Sequence, residues 1–156
     1  MTFKPMKHIP AIFIGFVFVQ SLFFKFTGSY ETNYIFGTLG EWSGLTLFAD
    51  YGAYVIGTAE LIATVLLFSR FHGLGALMAV GVMSGAIIFH LFTPLGVIMP
   101  EFNEVGEIVG YDGGLLFGMA CLVWLSAVFL SLRDLKDETG TLSKLYGVIF
   151  KKENTL

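Results

Sequence analysis

Charge is what this chain has least of. Only 13% of its 156 residues are charged, about half the roughly 25% of a soluble domain. The charged positions gather between apolar segments instead of punctuating them. Cysteine is almost missing too. Cys121 stands alone in an apolar run, which excludes an intrachain disulfide, a CxxC redox pair and a cysteine zinc site. Lysine and arginine are absent from two of the stretches between apolar runs, 27–46 and 96–112. A dinucleotide loop is excluded: Gly73-Leu74-Gly75 begins like one, but Met78 occupies the third glycine position and no strand precedes it. No serine lies at helical spacing from His90, so no serine–histidine–acid triad is indicated. The net charge of -3 says little about partners, because in an apolar chain the distribution of charge matters more than its sum.

What is present is apolar. The chain is 55% hydrophobic, with 17 Phe and 19 Gly, and its mean hydropathy is +0.77. Phe suits lipid-facing surface, and Gly lets helices approach closely. The composition predicts an all-α integral membrane protein, a four-helix bundle in one compact domain (residues 1–133) with a polar C-terminal tail (134–156). The spans are expected at about 9–26, 47–69, 71–95 and 111–132, each with roughly the 20 residues needed to cross a bilayer. The basic head with Lys4, Lys7 and His8 resembles the start of a signal peptide. The run that follows is long and lacks a small-x-small cleavage signal, so it reads as a retained helix. Segment 27–46 is too polar to span, and part of it is expected to lie flat as a short helix, with Tyr30, Tyr34 and Trp42 at an interface. In the tail, Leu145 to Phe150 is apolar and flanked by Lys144, Lys151 and Lys152. It reads as an interfacial helix or as a frayed end.

Lys and Arg counts in short flanking loops set orientation. Lys4, Lys7, Arg70, Arg133, Lys136, Lys144, Lys151 and Lys152 fall on one side of an even-numbered bundle. Glu31, Glu41, Asp50, Glu101, Glu104, Glu107 and Asp112 fall on the other. Both termini are therefore expected in the cytoplasm of a cell whose inner membrane holds the chain. Small residues repeat every four positions at Ala11/Gly15, Ala53/Gly57, Gly81/Gly85 and Gly110/Gly114/Gly118, the spacing of closely packed helices.

Ionisable residues inside apolar spans are expensive and mark candidate sites. Counting the rise from the basic side puts Glu60 about 15 Å deep, His90 about 30 Å and Lys25 about 27 Å. Asp50 and Asp112 come to about 30 Å. Lys25, Asp50, His90 and Asp112 then form a polar layer at the outer mouth, with Glu60 deeper and Gln20 at comparable depth. Glu60 and His90 are the candidate catalytic residues; Lys25, Gln20, Asp50 and Asp112 are candidate ligand contacts. Glu60 is either neutral interhelical glue or a functional carboxylate paired with Lys25. His90 can shuttle protons, bind a metal or hydrogen-bond a quinone carbonyl, or simply bond a neighbouring backbone carbonyl. Lys25 snorkels at a helix end or acts as counter-ion to Glu60, Asp50 or Asp112. Glu101, Glu104 and Glu107 read as a solvated acidic loop, since Ca²⁺ sites need a defined oxygen cage, and no metal ligand set is assigned.

Three of these features together resemble the DoxX-like family of small four-helix membrane proteins. The first helix closes on Lys25-Phe26-Thr27-Gly28. The second carries Glu60 before an apolar run ending Leu66-Leu67-Phe68-Ser69-Arg70, and the third ends on His90 after an alanine- and glycine-rich stretch. The resemblance covers roughly Ile9 to Arg133; the long acidic loop and the charged tail depart from the family's shortest members. It implies a four-helix bundle whose relatives include the quinone-linked small subunit of thiosulfate oxidation and accessory or chaperone-like subunits of membrane complexes. The function expected is a redox-linked accessory subunit that binds a quinone-like ligand between helices; no other cofactor is implied. The alternative is a non-catalytic scaffold or assembly subunit, and a transporter of a small solute is a weaker third. The expected partners are the lipid bilayer and other membrane-protein subunits or a second copy, with no nucleic acid.

Overall fold

The computed structural model describes residues 5–151, with side chains from His8 to Phe150. Lys4 and Lys152 lie outside the described residues, as do the side chains of Lys7 and Lys151. Along the chain come α1 (Pro5–Thr27), α2 (Tyr30–Ser43), α3 (Thr46–Leu67), α4 (His72–Phe92), β1 (Pro100–Phe102), β2 (Ile108–Tyr111), α5 (Leu115–Lys136) and α6 (Thr141–Lys151). Of these, α1, α3, α4 and α5 are long and apolar enough to cross a membrane. They close into a ring in which α1 packs on α3, α3 on α4, α4 on α5 and α5 back on α1. One end of the bundle, called here the turn end, holds the Phe68–Phe71 turn and α6. The other, the loop end, holds α2 and the β-hairpin.

Small side chains fill most of the centre. Ala11, Ala63, Ala76, Ala79, Ala120 and Ala127 are buried together with Ile14, Phe18, Leu67, Val123 and Leu130. Large apolar side chains lie on the outward faces instead: Phe16, Phe23, Val55, Val65, Leu122 and Leu125 are all exposed, Phe23 by 69%. An apolar outer surface spread over four helices far exceeds the patch a soluble monomer tolerates. It suits a multi-pass membrane protein.

Proline and glycine move the boundaries from where hydropathy alone puts them. α4 stops at Phe92, short of residue 95, because Thr93 is extended (φ -127, ψ 170), as a residue before proline prefers. α5 starts at Leu115 and not at 111. Residues 108–111 pair antiparallel with β1, and Gly113 and Gly114 then turn at positive φ, where a side chain would be strained. The hairpin is a small strand element in the otherwise helical described chain.

Segment 27–46 has its own place in the bundle. Gly28 at φ 66 breaks the helix, and the Ser29 side chain caps α2 by accepting from the Thr32 N–H. α2 then runs antiparallel to the first half of α3, with Gly40 against Ala49 and Phe36 against Gly52. α1 covers the second half, with Leu22 and Phe26 against Gly57 and Gly15 against Phe68 and Thr64. Thus α1 and α2 form one broken line along α3, and α1 ends level with Gly57, about 16 Å inside the start of α3.

The small-residue stripes divide. Ala11/Gly15 and Ala53/Gly57 sit in helix contacts, but a Cβ on Gly81, Gly85 or Gly118 would meet nothing within 4 Å, and Gly110 belongs to β2. The closest approach of one helix to another helix's backbone is at Gly75, where a Cβ would lie 2.5 Å from the Leu67 nitrogen. Gly75→Ala should therefore lower stability by about 1–3 kcal/mol through overpacking. Gly81→Ala, in open space, should be neutral or stabilising through helix propensity. Thermal unfolding of the purified chain in neutral detergent checks both.

Candidate functional site

Ser21 and Lys25 are four residues apart on α1 and so share a face. Lys25 also lies in the last turn of α1, where the carbonyl ends of the helix favour a cation. Opposite them, Glu60 projects from the face of α3 that carries Ala53, Gly57 and Ala63, all buried. These small residues let α1 come close enough for the side chains to meet. The Lys25 Nζ donates to Glu60 Oε2 at 2.9 Å and Oε1 at 3.0 Å. It also donates to the Ser21 hydroxyl at 2.5 Å, and that hydroxyl donates to Glu60 Oε2 at 2.6 Å. The carboxylate therefore faces three donor contacts from two side chains.

Burial is unequal. The Glu60 side chain is 3% exposed and that of Lys25 17%. A carboxylate this buried is tolerable only when paired and hydrogen-bonded, and removing one partner of such a pair costs about 3–5 kcal/mol. The lysine is the member that outside molecules can reach.

This pairing revises the depth argument. Helical rise counted from each basic end separates Lys25 and Glu60 by about 12 Å, yet they touch. The count treats Lys7 and Arg70 as level. In the bundle α1 is displaced toward the turn end, so its last turn stands beside the middle of α3. Lys25 accordingly leaves the outer polar layer and becomes the counter-ion of Glu60. Gln20 does not join them: it lies on the exposed side of α1, one position round from Ser21. Ser21 completes the cluster; its i-4 spacing from Lys25 is the signal in the sequence that places it there. Asp50 is exposed near the start of α3.

His90 and Asp112 lie near each other at the loop end, each bonded to backbone and apart from the Lys25–Glu60 pair. His90 is buried, with its Nδ1 2.6 Å from the Gly96 carbonyl oxygen. A carbonyl only accepts, so Nδ1 carries the proton. The ring stands edge-on to Phe117. Asp112 Oδ1 accepts the N–H groups of Met99 and Gly114, both at 2.8 Å, and Oδ2 accepts that of Leu116 at 2.9 Å. One carboxylate thus closes the base of the hairpin and caps the start of α5. Together these bonds hold the 93–116 connection over the ends of α4 and α5. Glu101, Glu104 and Glu107 are exposed, and among the described residues no three His, Cys, Asp or Glu side chains converge as a metal site.

Desolvation pushes the Asp112 carboxyl up, but the N–H groups of Leu116, Met99 and Gly114 and the nearby His90 outweigh it. The net effect holds it below its ordinary value of 3.8. Its contribution to stability is therefore complete above that value and lost as the pH falls through the lowered folded-state value. Hydrogen exchange of amides 98–118 should accelerate in that acid range. Asp112→Ala should reproduce the acceleration at neutral pH, with a loss of about 0.5–2 kcal/mol typical of a helix cap.

The chain matches no family model, no curated protein and no solved structure. The site is therefore read from its geometry.

Proposed function

We propose that this chain is a multi-pass membrane protein of DoxX-like type, a redox-linked accessory subunit that binds a small ligand with a quinone-like head at Lys25 and Glu60. The observation that carries this reading is a lysine–glutamate pair inside a bundle whose surroundings are almost free of charge. Such pairs are costly in a bilayer and mark ligand or proton paths. The part-exposed Lys25 ammonium has its three N–H donors on Ser21 and the two Glu60 oxygens, and a ligand carbonyl takes one of them in exchange for a Glu60 oxygen. Ser21 and Glu60 hold the ammonium in place, and the Glu60 carboxylate accepts or returns a proton through the Ser21 hydroxyl. His90 and Asp112 shape the loop end. The distribution of charge supports the orientation: Arg70, Arg133, Lys136 and Lys144 belong to the turn end, and Glu31, Glu41, Glu101, Glu104 and Glu107 to the loop end. The turn end faces the cytoplasm and the loop end the outside of the inner membrane.

A second reading, a non-catalytic scaffold or assembly subunit, draws on the loop end, where His90 and Asp112 hold backbone in place. A paired substitution separates the two. Replacing a buried ion pair by apolar residues of similar size is often neutral for stability. The double variant Lys25→Met/Glu60→Met should therefore fold like the parent in detergent while losing binding of a short-chain ubiquinone analogue by tenfold or more, followed by tryptophan fluorescence. A parent chain that does not bind the analogue, or a double variant that binds it equally well, would leave the scaffold reading in place.

A further inference from the structure

At the turn end the last turn of α5, the Ser69–His72 turn and the start of α6 enclose a cavity of about 200 Å³. Arg70, His72, Arg133, Asp134 and Asp137 all line it. The two carboxylates face local donors. Asp134 Oδ2 accepts the Leu142 N–H at 2.7 Å, and Asp137 Oδ1 accepts the Thr139 N–H at 3.0 Å and its hydroxyl at 2.7 Å. His72 Nδ1 is engaged by the Leu67 carbonyl oxygen at 2.6 Å. The arginines are different. Arg133 Nη1 is buried and has no hydrogen-bond partner among the described residues. Arg70 is exposed, with its guanidinium 4.8 Å from the Phe71 ring centroid. A buried guanidinium donor without an acceptor is unfavourable, and a planar fork of donors is the preferred partner of a phosphate.

We propose that this cavity binds the phosphate of a phospholipid headgroup, held between Arg133 and Arg70. The chemistry alone would suit any phosphate. The apolar surroundings favour a lipid: Phe71, Leu132 and Leu135 are exposed beside the cavity, where acyl chains lie along the outer face of α5. On the neighbouring α6, Leu145, Tyr146, Ile149 and Phe150 are exposed too, an apolar face suited to the headgroup boundary. A lipid bound there ties α5, α6 and the 69–72 turn together. The inference rests on the bundle lying in a bilayer and is independent of ligand binding at Lys25.

The test is thermal unfolding of the full chain in neutral detergent, titrated with dioctanoyl phosphatidylglycerol, with dioctanoylglycerol, or with inorganic phosphate. Phosphatidylglycerol should raise the midpoint saturably, and dioctanoylglycerol, which lacks the phosphate, should not. Arg133→Gln should weaken the effect roughly tenfold or more, the worth of a hydrogen bond to a charged group. Arg70→Gln, at an exposed position that does not threaten folding, should also weaken it, and Arg133→Lys should restore it in part. An equal shift with dioctanoylglycerol, or an undiminished response in Arg70→Gln, overturns the proposal. Saturation by inorganic phosphate at the same concentrations retains the anion site and overturns the lipid as its source.

Discussion

A carboxylate buried in an apolar bundle has to be compensated, and much of the arrangement around α3 follows from how Glu60 is compensated. The cation must come from a neighbouring helix, at the right level and with a stem long enough to reach. Lys25 meets these conditions because α1 ends beside the middle of α3. The Gly28 break then lets the chain continue as α2 along the rest of α3. Ser21 takes up the third contact. If α1 ran the full length of α3, its last turn would stand near Thr46 and the carboxylate would lack its partner.

The two ends of the bundle solve different problems. At the loop end, donors left over at the start of α5 and across the hairpin base converge on Asp112, while His90 anchors the Gly96 carbonyl. Polar groups there make local backbone bonds, which favours a role in holding shape. At the turn end, Asp134 and Asp137 cap local backbone in the same way, and Arg133 is left with a donor that has no acceptor among the described residues. Between the ends, among the described residues, only Lys25 and Glu60 join two long helices through charge. This difference in how each polar group is satisfied is what separates candidate binding positions from structural ones.

Composition and hydropathy were enough for the helical class and for four apolar helices, because a long run of apolar residues has few other folds available to it. Glu60 and Lys25 were also legible, since an ionisable residue inside such a run stands out against its background. Two of the glycine stripes were misleading. The spacing of Gly81 and Gly85 matches that of a packed face, but which face meets a neighbour depends on how each helix is rotated. Gly75, part of a failed nucleotide motif, turned out to mark the tightest approach of α3 and α4.

By itself, then, the sequence determined the kind of molecule: an apolar, mostly helical chain with its few charges in short connections and one acid–base pair available inside. Only the tertiary structure decided which residues meet. Rise per residue measures position along a single helix, whereas contact depends on how helices slide and rotate against one another. That axial offset, set by the Gly28 break and by small residues on α3, brought Lys25 down to Glu60. It left Gln20 outside and put Ser21 in its place.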